Sequence, residues 1–158
     1  MLSGPEVVYV AARNGVRPLG LAFNVGMRLP AHLAATGKAM LAYHEPDFVR
    51  QLFPADPLLT LSGKGPRTRA ALMKELQAVR RRGHSVDDET VREGVYSMAA
   101  PVFNAAGQPV AAIGVCINRA LLGTDHSERQ RQAVLNAARM LSRRLGGEPR
   151  QAASKGRA

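Results

Sequence analysis

The stretch from His84 to Asn118 constrains this chain more than any other. It opens His84-Ser85-Val86-Asp87-Asp88-Glu89, passes through Thr90-Val91-Arg92-Glu93-Gly94, and enters Val95-Tyr96-Ser97-Met98-Ala99-Ala100-Pro101-Val102-Phe103-Asn104. Ala105-Ala106-Gly107-Gln108 follows, then Pro109-Val110-Ala111-Ala112-Ile113-Gly114-Val115-Cys116-Ile117-Asn118. The pattern predicts a short strand, an acidic loop and two long strands joined by a tight turn, with Gly107 supplying the positive backbone angle that the turn requires. Apolar residues run along both arms almost without alternation, so the hairpin is expected at the centre of the structure, covered on both faces. Asp87 stands at its entrance. A carboxylate beside so apolar a hairpin needs partners, which makes it a candidate ligand contact.

The rest of the chain reads as elements that cover this hairpin. Residues 6–13 predict a strand, Asn14-Gly15 a turn, and Leu19–Val25 the returning strand of an N-terminal antiparallel hairpin, followed by a connector over 26–30. Ala34–Tyr43 is helical in composition, and Glu45-Pro46-Asp47 opens a short helix that runs to about Phe53. Thr68 is a candidate N-cap for a helix whose Ala71, Leu72, Leu76 and Val79 share one apolar face, and Gly83 stops it. After the central hairpin, Asp125 or Ser127 caps a long helix with Val134, Leu135, Ala138, Leu141 and Leu145 as its buried stripe, ending at Gly146-Gly147. Residues 148–158 are small, polar and basic and are expected to form a disordered tail. The sum is an α+β domain over 1–147, an antiparallel sheet flanked by helices.

Composition narrows the function classes. With 158 residues, 46% hydrophobic and 22% charged, the chain is sized for one globular domain. No apolar run approaches a membrane span and no signal-peptide pattern opens the chain, so a cytoplasmic protein with no membrane partner is expected. Cys116 is the only cysteine, which excludes an intrachain disulfide and a cysteine-rich zinc site. The formal net charge of +10 invites a nucleic-acid reading, but the excess lies on the Arg67–Arg82 helix and on the last helix and tail. Such runs are usually solvated helix faces, and 4% aromatic residues provide no stacking platform for single strands.

Several stretches carry a family resemblance. They are Asp87-Asp88-Glu89 with Gly94 and Ala99-Ala100-Pro101-Val102; Leu29-Pro30-Ala31-His32-Leu33-Ala34-Ala35-Thr36-Gly37-Lys38-Ala39-Met40-Leu41-Ala42; Leu76–His84; and the helix end Arg143-Arg144-Leu145-Gly146. In this order they resemble the effector-binding domain of IclR-type transcriptional regulators, over about residues 6–147. The resemblance implies a GAF-like version of the α+β fold, no enzymatic activity, no cofactor, and a homodimer or homotetramer. It also implies a small-molecule effector, and operator DNA read only through a winged helix-turn-helix domain. This chain reaches its first strand almost at once, so no such reader is expected within it.

The candidate site residues follow from both readings. Asp87 either anchors loop 88–94 through its carboxylate or, as the resemblance implies, contacts the effector. The resemblance places the effector pocket at Ala35, Thr36 and Gly37; locally, Gly37 equally permits close packing, and a helix start offers free N–H groups to an anion. Lys38 is expected to point to solvent. Ser97 matches a cysteine or serine of the family pocket and is otherwise a small core residue. Gly114 and Cys116 stand where some relatives carry two serines, which implies a larger or less polar effector than a two-carbon oxo acid. Cys116 has no local positive charge to activate it and reads as an inert thiol. No metal is expected; His32 or His84 beside Asp87 is the weaker alternative. An ionised Asp87 repels an effector carboxylate, so the pairing requires a hydroxyl or water at Asp87 and helix-start N–H groups at the anion. The alternatives are a small GAF-fold enzyme with Asp87 as base and Cys116 or Ser97 as nucleophile, and a stand-alone small-molecule-binding module.

Overall fold

The computed structural model describes residues 1–13, 15 and 23–147, the side chains at 124–126 excepted. The strands are β1 (Leu2–Ser3), β2 (Glu6–Val8), β3 (Arg28–Pro30), β4 (Ser85–Asp88), β5 (Val95–Phe103) and β6 (Pro109–Asn118). The helices are α1 (Ala35–Leu41), α2 (Pro46–Leu52), α3 (Arg69–Arg82) and α4 (Thr124–Arg144). The class is α+β, with the described strands divided between two antiparallel sheets, β1–β2–β3 and β4–β5–β6.

The second sheet is the frame. On one face, Ala35 and Ala39 of α1 pack with Ala99 and Ala112. On the other, Val134 and Ala138 of α4 pack with Ala100 and Val102. Alternation along β5 therefore sends odd positions to α1 and even positions to α4. Two covered faces account for the unbroken apolar run of β5, which is buried throughout. β6 departs from the expected central placement. It is the outer strand of its sheet among the described residues, and Gly114 and Val115 are exposed. Lacking a neighbour along its outer side, an apolar strand at that position stays half-open. The β5–β6 turn follows the expected chemistry: Gly107 has φ 71°, and Asn104 Oδ1 accepts from the N–H groups of Ala106 and Gln108, both at 3.0 Å.

A second core lies between the first sheet, α1, α2 and α3, where Val7, Leu41, Leu72, Leu76 and Val79 are almost fully enclosed. Burying each of these large side chains contributes about 1.5–3 kcal/mol. Thr68 caps α3 by accepting from the Ala71 N–H at 3.1 Å, and Gly83 ends it at φ 77°. The strand returning to β2 is Arg28–Pro30, which the sequence assigned to a connector. The expected return strand Leu19–Val25 lies mostly outside the described residues, and within it Phe23–Val25 is not strand. The turn at Asn14-Gly15 falls partly, and the tail 148–158 wholly, outside the described residues.

Other expectations need correction. α4 starts one residue after Gly123 with no side-chain cap, so neither Asp125 nor Ser127 is its N-cap. Its stripe is buried at Val134 and Ala138 and continues to Ser142, which accepts from the Phe103 N–H of β5 at 3.0 Å, while Leu141 and Leu145 lie off that line and are exposed. Lys38 does not point to solvent. It is 1% exposed, and its Nζ donates to Glu75 Oε1 of α3 at 2.6 Å. A buried ammonium survives only with such a partner.

Gly37 sets how closely α1 can sit. A Cβ built there lies 2.2 Å from the Ala31 carbonyl oxygen. Helix propensity alone favours Gly37→Ala by about 1 kcal/mol, but the backbone clash outweighs it. The substitution is expected to lower the free energy of unfolding by about 2–3 kcal/mol in urea titration; an unchanged or raised value contradicts this packing.

Candidate functional site

Strand register gathers three polar side chains into one row. Asp87 pairs with Ser97 across β4–β5, and Ser97 pairs with Cys116 across β5–β6. Opposed residues of antiparallel strands share a face, here the face that carries α1. Ser97 Oγ and Cys116 Sγ lie 3.0 Å apart. The next row on this face is Ser85, Ala99 and Gly114. Its Ser85 hydroxyl is shared between the carbonyls of Ala35 and Ala99, which fixes the start of α1 onto the sheet.

Thr36 stands beside the row. Its Cγ2 comes within 3.4 Å of where a Gly114 Cβ would be. The same Cβ would press to 2.8 Å on the Met98 carbonyl oxygen, so Gly114 serves close packing there. Tyr9, just beyond β2, reaches in from the first sheet and places its Oη 3.2 Å from Thr36 Oγ1. Burial pushes its phenol up to about 12, and the charges of Cys116 and Asp87 act in the same direction against the Thr36 bond. The sequence reading missed Tyr9, which lies 27 residues from its partner Thr36. The one available signal was a hydroxyl-bearing aromatic within an apolar strand.

The structure thus brings Thr36, Asp87, Ser97 and Cys116 together, with Gly114 adjoining. Ala35 and Gly37 do a different job. Ala35 is buried in the α1–sheet contact, and Gly37 faces the Ala31 backbone. The α1 ladder begins with the Lys38 N–H bonding the Ala34 carbonyl at 3.0 Å. The N–H groups of Ala35, Thr36 and Gly37 therefore precede it.

Asp87 is 3% exposed, and every hydrogen bond its carboxylate accepts ends on Oδ1. The donors are the Thr90 N–H at 2.7 Å, the Thr90 hydroxyl at 2.6 Å and, more weakly, the Val91 N–H at 3.4 Å. The Thr90 hydroxyl also lies 2.8 Å from the Leu33 carbonyl, tying the loop to the segment before α1. Asp87 therefore anchors its loop through one oxygen, and among the described residues no hydrogen bond reaches Oδ2. Burial raises its pKa above the ordinary carboxylate value, opposed by the Thr90 bonds and the nearby Lys38 charge. The loop is clasped again from outside, where Ser62 Oγ donates to the Glu89 carbonyl at 2.6 Å and Lys64 pairs with the Glu89 side chain.

Burial raises the Cys116 thiol to about 11, with the Asp87 charge adding to the rise and the Ser97 bond opposing it. At neutral pH the sulfur therefore carries its proton and is a poor nucleophile. The two histidines considered beside Asp87 are engaged elsewhere. His32 Nε2 lies 2.8 Å from the Leu59 carbonyl with its ring edge-on to Phe53, and His84 Nδ1 lies 3.1 Å from the Arg82 carbonyl.

Residues 1–143 match the family described as bacterial transcriptional regulator IclR C-terminal. Among curated proteins, the HTH-type transcriptional regulator BhcR of Paracoccus denitrificans is 28% identical over 155 residues, covering 98% of this chain and 55% of that protein. Among solved structures, the Agobacterium tumefaciens repressor BlcR superposes with a TM-score of 0.84 at 33% identity, over 93% of this chain and 58% of that one. A double mutant of the PobR inducer-binding domain from Acinetobacter, in complex with 3-hydroxybenzoic acid, superposes with a TM-score of 0.73 at 26% identity, over 92% of this chain and 84% of that one. The chain thus spans about half the length of the curated relatives it matches.

The rate of Cys116 alkylation by iodoacetamide is expected to keep rising through pH 10 in the folded protein, since only the thiolate reacts. A plateau below pH 8 would mean an activated cysteine and would reopen nucleophilic chemistry at this row.

Proposed function

Because this chain belongs to the IclR C-terminal family of bacterial transcriptional regulators, we propose that it is the ligand-sensing part of such a regulator. In this reading a small carboxylate-bearing metabolite binds beside the Asp87–Ser97–Cys116 row, under Thr36 and Tyr9. The observation that carries the reading is the half-used carboxylate: Asp87 is buried, yet only Oδ1 is spent on the loop. Free polar capacity inside an apolar wall is what a small-molecule site requires. The 3-hydroxybenzoic acid held by the PobR inducer-binding domain supports the same ligand class.

Binding would act through the loop that Asp87 holds. Thr90 bonds both Asp87 and the Leu33 carbonyl, and Ser62 and Lys64 hold the neighbouring Glu89. A ligand that prefers one arrangement of these contacts shifts the population toward it. The conformation or the assembly of a homodimer or homotetramer would change in turn. In the proposed whole protein, a separate winged helix-turn-helix domain reads operator DNA in the cytoplasm. The domain comprises residues 1–147, with 148–158 as a basic tail. An enzymatic role is disfavoured, since the only cysteine is protonated and its Ser97 neighbour bonds it rather than a base.

The test is a melting experiment with a panel of small mono- and dicarboxylates. A ligand at about 100 times its Kd stabilises a protein by about 2.7 kcal/mol, which for this size raises the melting temperature by several degrees. Asp87→Ala is expected to abolish the response to whichever acid stabilises the parent protein. A full response in that variant removes Asp87 from the site.

A further inference from the structure

We propose that this site selects 2-hydroxy acids over the matching 2-oxo acids, with Asp87 Oδ2 accepting the ligand hydroxyl and the Tyr9–Thr36 and Ser97–Cys116 pairs donating to its carboxylate. The inference rests on the effector-site reading above and adds the ligand's chemistry to it.

It follows from counting hydrogens. The Tyr9 and Thr36 hydroxyls, 3.2 Å apart, spend one hydrogen on each other and keep one to give. The Ser97 hydroxyl and the Cys116 thiol, 3.0 Å apart, do the same, and the thiol holds its proton at neutral pH. The Thr90 and Val91 donors on Oδ1 and the nearby Lys38 charge favour the ionised carboxyl against burial, and in that form Asp87 brings only lone pairs at Oδ2. The neighbouring ammonium of Lys38 is already bonded to Glu75. The side chains around the row therefore offer two hydrogens and one carboxylate oxygen, which as an anion is a stronger acceptor than the neutral hydroxyls beside it.

A 2-hydroxy acid is the complement. Its two carboxylate oxygens take the two hydrogens, and its hydroxyl gives one to Oδ2. The 2-oxo acid of the same skeleton turns ketone lone pairs toward the Oδ2 lone pairs, a repulsive contact in place of a hydrogen bond. A site built to bond a hydroxyl rejects the analogue lacking it far more strongly than an apolar pocket distinguishes a methylene. Tyr9 enters the site as a ligand-contacting residue that supplies a neutral donor from the first sheet.

Titration calorimetry at pH 7.5 with matched pairs tests this: lactate and pyruvate, 2-hydroxy-3-methylbutanoate and 3-methyl-2-oxobutanoate, mandelate and phenylglyoxylate. Within the pair that fits, the hydroxy acid is expected to bind at least about tenfold more tightly. Asp87→Asn keeps an oxygen for the Thr90 N–H and can turn an amide N–H to a ketone, so it should bring the two affinities to within about threefold. Tyr9→Phe, which keeps the ring, should weaken both members alike. An oxo acid that binds the parent protein as tightly as its hydroxy partner overturns the selectivity while leaving the effector reading standing. A hydroxy-to-oxo ratio unmoved by Asp87→Asn overturns the role of Oδ2. Failure of every pair to bind removes the effector reading, and this inference with it.

Discussion

Everything at this site depends on how closely α1 lies on the β4–β5–β6 sheet. The contact is built from alanines, Ala35 and Ala39 against Ala99 and Ala112, while Gly37 packs on the Ala31 backbone that precedes the helix and Gly114 on the neighbouring strand at the Met98 carbonyl. Small side chains on both sides let backbones approach, and the Ser85 hydroxyl secures the approach through the Ala35 carbonyl. That spacing puts Thr36 next to the polar row and not a side chain's length above it. A single added methyl at Gly37 or Gly114 has no room.

The electrostatics are arranged around the same helix. Lys38 follows Gly37 and turns inward, where Glu75 of α3 holds it. Its charge lies close enough to lower the pKa of Asp87, while burial raises it. The hydrogen bonds of Asp87 are one-sided: Oδ1 holds the loop, and among the described residues none reaches Oδ2. Cys116 and Tyr9, both near enough to feel the Asp87 charge, are held in their protonated forms and are neutral donors. These are the attributes of the binding site proposed above, and a protonated thiol is a poor nucleophile. This fits the IclR C-terminal family to which the chain belongs.

Local chemistry was legible at several caps and turns, though not at the start of α4, and long-range pairing was not. Thr68, Gly83 and Gly107 act where their side chains or backbone freedom require, because caps and turns depend on residues a few positions apart. Period-two alternation put Ser97 on the face of Ala99 and Cys116 on the face of Gly114, and the register joined them. Asp87 was read with two roles, and its loop-anchoring bonds connect it to Thr90, three residues on. Lys38 was misplaced because lysine is exposed in most settings; only a carboxylate 37 residues away reverses that. β6 was misplaced because composition does not say whether a strand has a neighbour on its outer side. Tyr9 reaches the site from another sheet, and no local pattern points there.

We propose that a small acid sits against the Asp87 row and under the start of α1. An amide chemical-shift map by NMR, recorded while the acid that stabilises the protein is titrated in, tests it most directly. The account predicts that the largest changes fall on Tyr9, Thr36, Asp87 to Val91, Ser97 and Cys116, with the α4 face around Val134 and Ala138 little affected. Changes centred on α4, or on the Leu72–Val79 face of α3, with the Asp87 row silent, would contradict it.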